Sequence, residues 1–225
     1  MKALFTGAAI YCLLLSATTA LAVSDEAVER NNSGAKLIEQ GKLDAAIAAF
    51  QKAIGLDPTY LPARLNLAYA YEKANRLDEA IDAYREAIDA QPQSFFAHNN
   101  LGVLYDKKGL YDAAIAEFET ALQIETNNSM ARQNLDIARK NKSTTEMRES
   151  QVLRAEKEAQ AKPKDPYASY NVARLHAYNS NKDAALQWLA RAIKQGYKDL
   201  AYLKVDPAFS GLREDRDFEQ LLMAK

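Results

Sequence analysis

Reactive and metal-binding side chains are scarce in this sequence. Its 225 residues include one cysteine, Cys12, and two histidines, His98 and His176, which lie far apart. There is no glycine-rich phosphate loop and no His-Glu metal-binding spacing, and no serine or aspartate is paired with a base as a nucleophile would require. The formal net charge is only −1, so charge does not favour nucleic acid or an anionic membrane as a partner. The sequence therefore predicts a protein that is not an enzyme and binds no metal or cofactor.

A long apolar run is present near the N-terminus, within MKALFTGAAIYCLLLSATTALA. Lys2 precedes the run, and the short side chains of Ala20 and Ala22 at its end suit a signal peptidase. We predict a signal peptide over residues 1–22, cleavage after Ala22, and a periplasmic or secreted mature protein with no membrane attachment. The alternative is an uncleaved membrane anchor, because about 20 apolar residues are long enough to cross a bilayer.

Two motifs recur along the chain with a period of 34 residues. The first places an asparagine at 32, 66 and 100, and the second begins KLDAAIAAF, RLDEAIDAY and LYDAAIAEF. Pro58 and Pro92 end the first two units. The pattern resembles the tetratricopeptide repeat family over residues 27–126, as three regular repeats. The resemblance implies an all-α fold, a right-handed helical solenoid of paired antiparallel helices. The small and aromatic positions that carry it are Ala46, Ala80, Ala114, Phe50, Tyr84, Phe118, Ala53, Ala87 and Ala121.

The pattern weakens after Thr126 and returns near the C-terminus. Residues 127–165 supply another first helix around Asn134 but lack the small and aromatic positions of a second helix, so we predict a degenerate helical unit. From Arg139 to Lys164 there are eight basic and four acidic residues, which predicts a solvated face, with a basic docking surface as the alternative. Residues 166–225 predict a fifth repeat and a C-terminal cap. Asp206-Pro207, Leu212-Arg213 and Phe218 occur in the cap, which with these features resembles the closing segment of many bacterial repeat proteins. The resemblance implies a short helix from about Asp215 to Met223.

The family resemblance suggests a role for the recurring asparagines. In tetratricopeptide arrays the first helices line a concave groove, and the sixth position of each repeat points into it. The repeat region of O-linked N-acetylglucosamine transferase is similar, and there such asparagines clamp the backbone of an extended peptide. Here the same residues are alternatively packing groups between neighbouring first helices, and both interpretations stay open. The predicted groove residues are Asn32, Asn66, Asn100, Asn134, Asn171, Leu65, Tyr69, Phe96 and Val103.

The predicted function is therefore a non-catalytic interaction scaffold, periplasmic or secreted, that binds a protein or extended peptide in this groove. The alternatives are an assembly chaperone for envelope, pilus or cytochrome components, and a structural subunit that oligomerises. Some members of the family bind a free C-terminal carboxylate through a clamp of basic and amide side chains. Only Asn66 matches that clamp, because Asn31, Ala35, Phe96 and Asn100 occupy its other places. Both histidines are predicted to be packing residues.

Overall fold

The computed structural model describes residues 24–223, so the predicted signal peptide lies outside the described range. Every regular element in that range is a helix, and the predicted all-α class is confirmed. The chain divides after Arg139 into two compact units, unit 1 and unit 2. Between residues 24 and 223, no helix is both long enough and apolar enough to span a membrane.

Unit 1 contains three helix pairs and the start of a further helix. In each pair the two helices pack against each other, as the tetratricopeptide resemblance predicts. The first helix of each pair also packs on the second helix of the preceding pair. The helices are α1 (Asp25–Glu39) with α2 (Leu43–Leu56), α3 (Leu61–Lys73) with α4 (Leu77–Ala90), α5 (Phe95–Lys107) with α6 (Tyr111–Ile124), and then α7 (Ser129–Ala161).

One residue with a left-handed backbone ends each first helix in unit 1. Gly41, Asn75 and Gly109 have φ angles of 71°, 58° and 74°, a region that glycine and asparagine adopt at low cost. The next residue donates its N–H to a carbonyl in the last turn of the first helix, as Lys42 does to Leu37. This closes the turn and reverses the chain, so these three residues produce the antiparallel pairs.

The core of unit 1 is built from rings packed against small residues. Phe50, Tyr84 and Phe118 are the rings, and each is almost completely buried. Opposite Phe118, a Cβ at Gly102 would lie only 2.7 Å from a ring carbon. The helices of a pair therefore approach closely because a small residue in the first helix accommodates a ring from the second.

In the predicted degenerate unit, one continuous helix of 33 residues, α7, takes the place of a helix pair. Ser143 stands 34 residues after Gly109, but it is helical. Pairs one turn apart support the helix, with Lys142 Nζ 3.7 Å from Glu146 and Lys162 Nζ 2.7 Å from Glu158. Serine at position 143 favours a left-handed turn less than glycine or asparagine does, so the helix is able to continue through this position.

Unit 2 contains the rest of α7, a helix pair and a closing segment. The pair is α8 (Pro166–Tyr178) and α9 (Lys182–Lys194), and then come α10 (Leu200–Leu203), a 3-10 helix (Pro207–Leu212) and α11 (Arg216–Met223). The predicted terminal helix is confirmed as α11. Asp206 is fully buried and accepts bonds from the Tyr170 hydroxyl and the Ala208 N–H, and it pairs with Arg174. These contacts fasten the closing segment to α8.

Candidate binding surface on the first helices of unit 1

The first helices of unit 1 lie side by side and form one continuous surface. We define the first-helix face as the surface of α1, α3, α5 and the part of α7 up to Arg139. Polar side chains join each neighbouring pair of these helices. Asn66 bonds to Asn31 between α3 and α1, Lys107 pairs with Glu72 between α5 and α3, and Asn134 bonds to Asn99 between α7 and α5.

Two of these links are amide bridges with the same geometry. Asn66 Nδ2 donates to Asn31 Oδ1 at 2.8 Å, and Asn134 Nδ2 donates to Asn99 Oδ1 at 3.0 Å. In both, the donor follows the acceptor by 35 residues, so it is the sixth position of one repeat bonding to the fifth position of the preceding repeat. The amides therefore help to set the register of adjacent first helices.

The bridge is missing between α3 and α5 because Leu65 occupies the fifth position there. Asn100 instead donates to the hydroxyl of Tyr84 at 3.3 Å and accepts from Asn99 Nδ2 at 3.2 Å. Burial raises the pKa of the Tyr84 hydroxyl, and the nearby Glu72 carboxylate adds to the shift. That hydroxyl is therefore a stable neutral partner for the amide at neutral pH.

The predicted groove residues differ in their exposure. Asn66, Asn100 and Asn134 are half-buried and hydrogen-bonded, whereas Asn32 is exposed on α1. Leu65 and Val103 are half-buried against the core. Asn171 is exposed on α8, and the structure places it in unit 2 rather than with the asparagines of unit 1.

The two predicted aromatic residues are accessible to solvent on the first-helix face. Phe96 is 58% exposed, and its ring meets the buried ring of Phe95 edge to face at 5.4 Å. Tyr69 is 40% exposed, with the ammonium of Lys73 5.1 Å from its ring centre. Large exposed apolar groups next to oriented amides are typical of an interaction surface.

Sequence analysis missed the residues at the fifth position that complete the bridges. Asn31 and Asn99 are buried, at 6% and 2% exposure, although asparagine is usually a surface residue. The sequence signal for these partners was their spacing: Asn31 and Asn99 lie 35 residues before Asn66 and Asn134, one residue more than the repeat period.

A second set of contacts at a fixed spacing was also missed. Side chains 20 residues apart join a second-helix position to the first helix that follows. The pairs in unit 1 are Gln51 with Tyr71, Arg85 with Tyr105, and Glu119 with Arg139. In unit 2, Glu156 of α7 meets His176 at the same spacing, at 3.1 Å. These links stabilise the stacking of helices and do not form a site.

Both histidines are buried packing residues, as predicted. The ring of His98 lies between Glu117 Oε2, 2.6 Å from Nδ1, and the carbonyl of Pro92, 3.0 Å from Nε2. Within residues 24–223 no three histidine, cysteine or carboxylate side chains come together as a group that could hold a metal ion. The face offers amides and apolar groups, which suit hydrogen bonding to a peptide backbone and contact with apolar side chains.

Comparison with known families and proteins identifies the repeats. Two models described as tetratricopeptide repeat match residues 37–101 and 95–128. Among curated proteins, a 55-residue stretch is 40% identical to a chloroplastic protein of Arabidopsis thaliana. The match covers 24% of this chain and 16% of the plant protein, so it spans only a small part of that relative.

Several solved structures have the same helical arrangement. The first TPR of Spaghetti (RPAP3) bound to the HSP90 peptide SRMEEVD is 25% identical, with a TM-score of 0.50, and the match covers 52% of this chain and 93% of that one. The Sgt2 TPR domain from Aspergillus fumigatus is 18% identical, with a TM-score of 0.53 and coverage of 56% and 85%. MamA 41-end from Desulfovibrio magneticus RS-1 is 14% identical, with a TM-score of 0.50 and coverage of 77% and 97%. The last two similarities concern the fold alone.

Proposed function

Because this chain belongs to the tetratricopeptide repeat family over residues 37–128, we propose that it is a non-catalytic scaffold whose first-helix face binds an extended segment of a partner protein. The observation that carries the proposal is the exposure of Phe96 and Tyr69 beside half-buried, oriented amides. The similar RPAP3 domain was solved with a bound peptide, which supports a protein segment as the class of ligand.

In this proposal the asparagines both support the fold and contact the ligand. Each bridge uses one amide hydrogen of Asn66 or Asn134. A primary amide has a second hydrogen and an acceptor oxygen with two lone pairs, so capacity remains for a peptide backbone. The bridge fixes the side-chain conformation in advance, which lowers the entropy cost of binding.

Affinity in this arrangement depends mainly on the apolar side chains. A hydrogen bond contributes about 0.5–1.5 kcal/mol net, so a few amide contacts alone give only millimolar binding. Burying one large apolar side chain contributes about 1.5–3 kcal/mol. Phe96 and Tyr69 therefore supply most of the binding free energy, and the amides orient the ligand.

We further propose that the mature protein is periplasmic or secreted. The support is the sequence of residues 1–22, with Lys2, the apolar run and the small residues before Val23. The measurement is N-terminal sequencing and mass determination of the protein purified from its native source. A mature chain that starts at Val23 is expected, and a chain that retains residues 1–22 in the membrane fraction contradicts the proposal.

The binding surface is tested by site-specific photo-crosslinking. A photoreactive phenylalanine analogue is placed at Phe96, and as a control at Leu110, which is also exposed (49%) but lies at the start of α6. Discrete protein crosslinks are expected from position 96, and Tyr69→Ser is expected to lower their yield. Equal crosslinks from both positions, or no effect of Tyr69→Ser, would show that the first-helix face is not the binding surface.

A further inference from the structure

The exposed apolar side chains of the first-helix face form two rows, one on each side of the amide bridges. Phe96 (58% exposed) and Met130 (45%) form the first row. They precede the bridging Asn99 and Asn134 by three and four residues, which is one helical turn. Since the bridge holds the two helices side by side at Asn99 and Asn134, Phe96 and Met130 are brought to the same side of it.

The second row lies one turn beyond the bridges. Ile137 (46% exposed) follows Asn134 by three residues, and Tyr69 (40%) follows Asn66 by three residues. The half-buried Val103 lies between them on α5. On α7, Met130 and Ile137 are seven residues apart, so the rows are separated by about 10 Å at 1.5 Å per residue. The asparagine amides occupy the strip between the rows.

This layout matches the geometry of an extended peptide lying flat on the face. In an extended chain, side chains alternate between two opposite directions, and the N–H and C=O groups point perpendicular to them. When the backbone polar groups meet the central amides, successive side chains reach opposite rows. A segment with apolar residues at consecutive positions fills both rows, whereas a segment that alternates apolar and polar residues fills only one.

Three cations near the rows have partners within the protein. Lys107 pairs with Glu72, Arg139 Nη2 lies 2.8 Å from Glu119 Oε1, and the Lys73 ammonium lies over the ring of Tyr69. A ligand carboxylate would have to compete with these internal partners for a cation. The surface therefore favours an uncharged segment.

From the two apolar rows and the internal partners of the nearby cations, we infer that the first-helix face selects an extended segment with consecutive apolar residues. We also infer that binding does not require a terminal carboxylate. This inference rests on the proposed function of the same face. It makes the ligand chemically different from the acidic peptide SRMEEVD bound by the similar RPAP3 domain.

The test compares three labelled peptides by fluorescence anisotropy with the full mature chain. Ser-Gln-Leu-Val-Leu-Val-Gln-Ser and its isomer Leu-Ser-Val-Gln-Leu-Gln-Val-Ser, both with blocked ends, have the same composition but different patterns. The third is SRMEEVD with a free C-terminus. We expect the consecutive isomer to bind about tenfold tighter than either of the others. The alternating isomer reaches only one row, and SRMEEVD offers only two apolar side chains together with three carboxylate side chains.

Variants identify which row each peptide uses. Phe96→Ser and Ile137→Ser remove one member of each row, and each is expected to weaken the consecutive isomer about tenfold. The alternating isomer is expected to respond to only one of them. Leu110→Ser is the matched control and should leave the affinity unchanged. Circular dichroism melting confirms that each variant is folded.

Equal affinity of the two isomers, tightest binding of SRMEEVD, or no peptide binding overturns the inference. The crosslinks from position 96 then decide separately whether the proposed function is correct. If those crosslinks persist and depend on Tyr69, the face binds a segment of another chemistry. If they are absent, the proposed function fails together with the inference.

Discussion

At the scale of single residues, two glycines of unit 1 occur where an aromatic ring occupies the space of a Cβ. A Cβ at Gly102 would meet Phe118 at 2.7 Å, and at Gly34 it would meet Phe50 at 2.5 Å. We expect Gly102→Ala to lower the free energy of unfolding by about 1–2 kcal/mol, because overpacking outweighs the gain in helix propensity. Urea unfolding measures the change.

The control is Gly55→Ala, in α2, where a new Cβ would have no atom within 4 Å. Alanine there should stabilise the helix by about 0.5–1 kcal/mol. A Gly102→Ala protein as stable as the Gly55→Ala protein would contradict the packing argument.

The buried asparagines make a second prediction at this scale. Asn99 is 2% exposed and bonds to both Asn100 and Asn134. Asn99→Ala should cost about 1–3 kcal/mol of stability, because it leaves polar partners without a bond. Asn32→Ala, at an exposed position, should change stability by less than about 0.5 kcal/mol. Equal effects of the two substitutions in urea unfolding would show that the bridges do not stabilise the fold.

Tyr84 gives a prediction about alkaline pH. Burial raises the pKa of its hydroxyl, so the folded protein keeps this proton at a pH where the unfolded chain, with a pKa of about 10, has lost it. The unfolded state then binds fewer protons, and stability falls as pH rises. Above pH 10, the stability of wild type relative to Tyr84→Phe should fall by about 1.4 kcal/mol per pH unit. Parallel stability curves for the two proteins would refute this.

Some of the contacts made by single residues could be predicted from the sequence and others could not. Position six could be found from the repeat of Asn66, Asn100 and Asn134, because identical residues at a fixed period are visible in one chain. Their partners could not be found in that way, because the bridge joins different positions of adjacent repeats. Leu65 interrupts the fifth-position pattern, so the period hides Asn31 and Asn99.

At the scale of helices, the regular pairs were predictable because local and repeated signals agree. Gly41, Asn75 and Gly109 recur at the turns and do adopt left-handed backbone. In the degenerate unit, Ser143 stands at the turn position and is compatible with either a turn or a helix, so the sequence did not decide between a helix pair and one continuous helix. In unit 2, Ser180 takes the left-handed conformation (φ 58°) at the corresponding turn. A serine at the turn position therefore does not determine the backbone conformation, which depends on the residues packed around it.

The continuity of α7 leads to a prediction for that helix. Thr145→Pro removes an N–H and places a ring in the helix interior, which costs about 3 kcal/mol or more. We expect the amides near position 145 to lose protection in hydrogen exchange. The matched control is Ser129→Pro, because residue 129 is the first of α7 and proline is tolerated there. If both variants keep the same protection near position 145, that region is not a stable helix.

At the scale of the whole molecule, each unit has its own buried core. The core of unit 1 includes Tyr84 and Phe118, and that of unit 2 includes Leu189, Phe209 and Phe218, with no residue in common. Phe209 is fully buried, and its ring centre lies 5.6 Å from that of Phe218. Removing this ring leaves a cavity in the core of unit 2.

We therefore expect Phe209→Ala to destabilise unit 2 selectively, by about 3–5 kcal/mol. In hydrogen exchange measured by mass spectrometry, amides of α9 should exchange faster while those of α4 keep their wild-type rates. Phe118→Ala is the reciprocal control and should accelerate exchange in α4 and α6 but not in α9. Uniform acceleration in both variants would mean that the chain unfolds as one cooperative body. In that case, substitutions on the first-helix face would have to be judged against the stability of the entire protein.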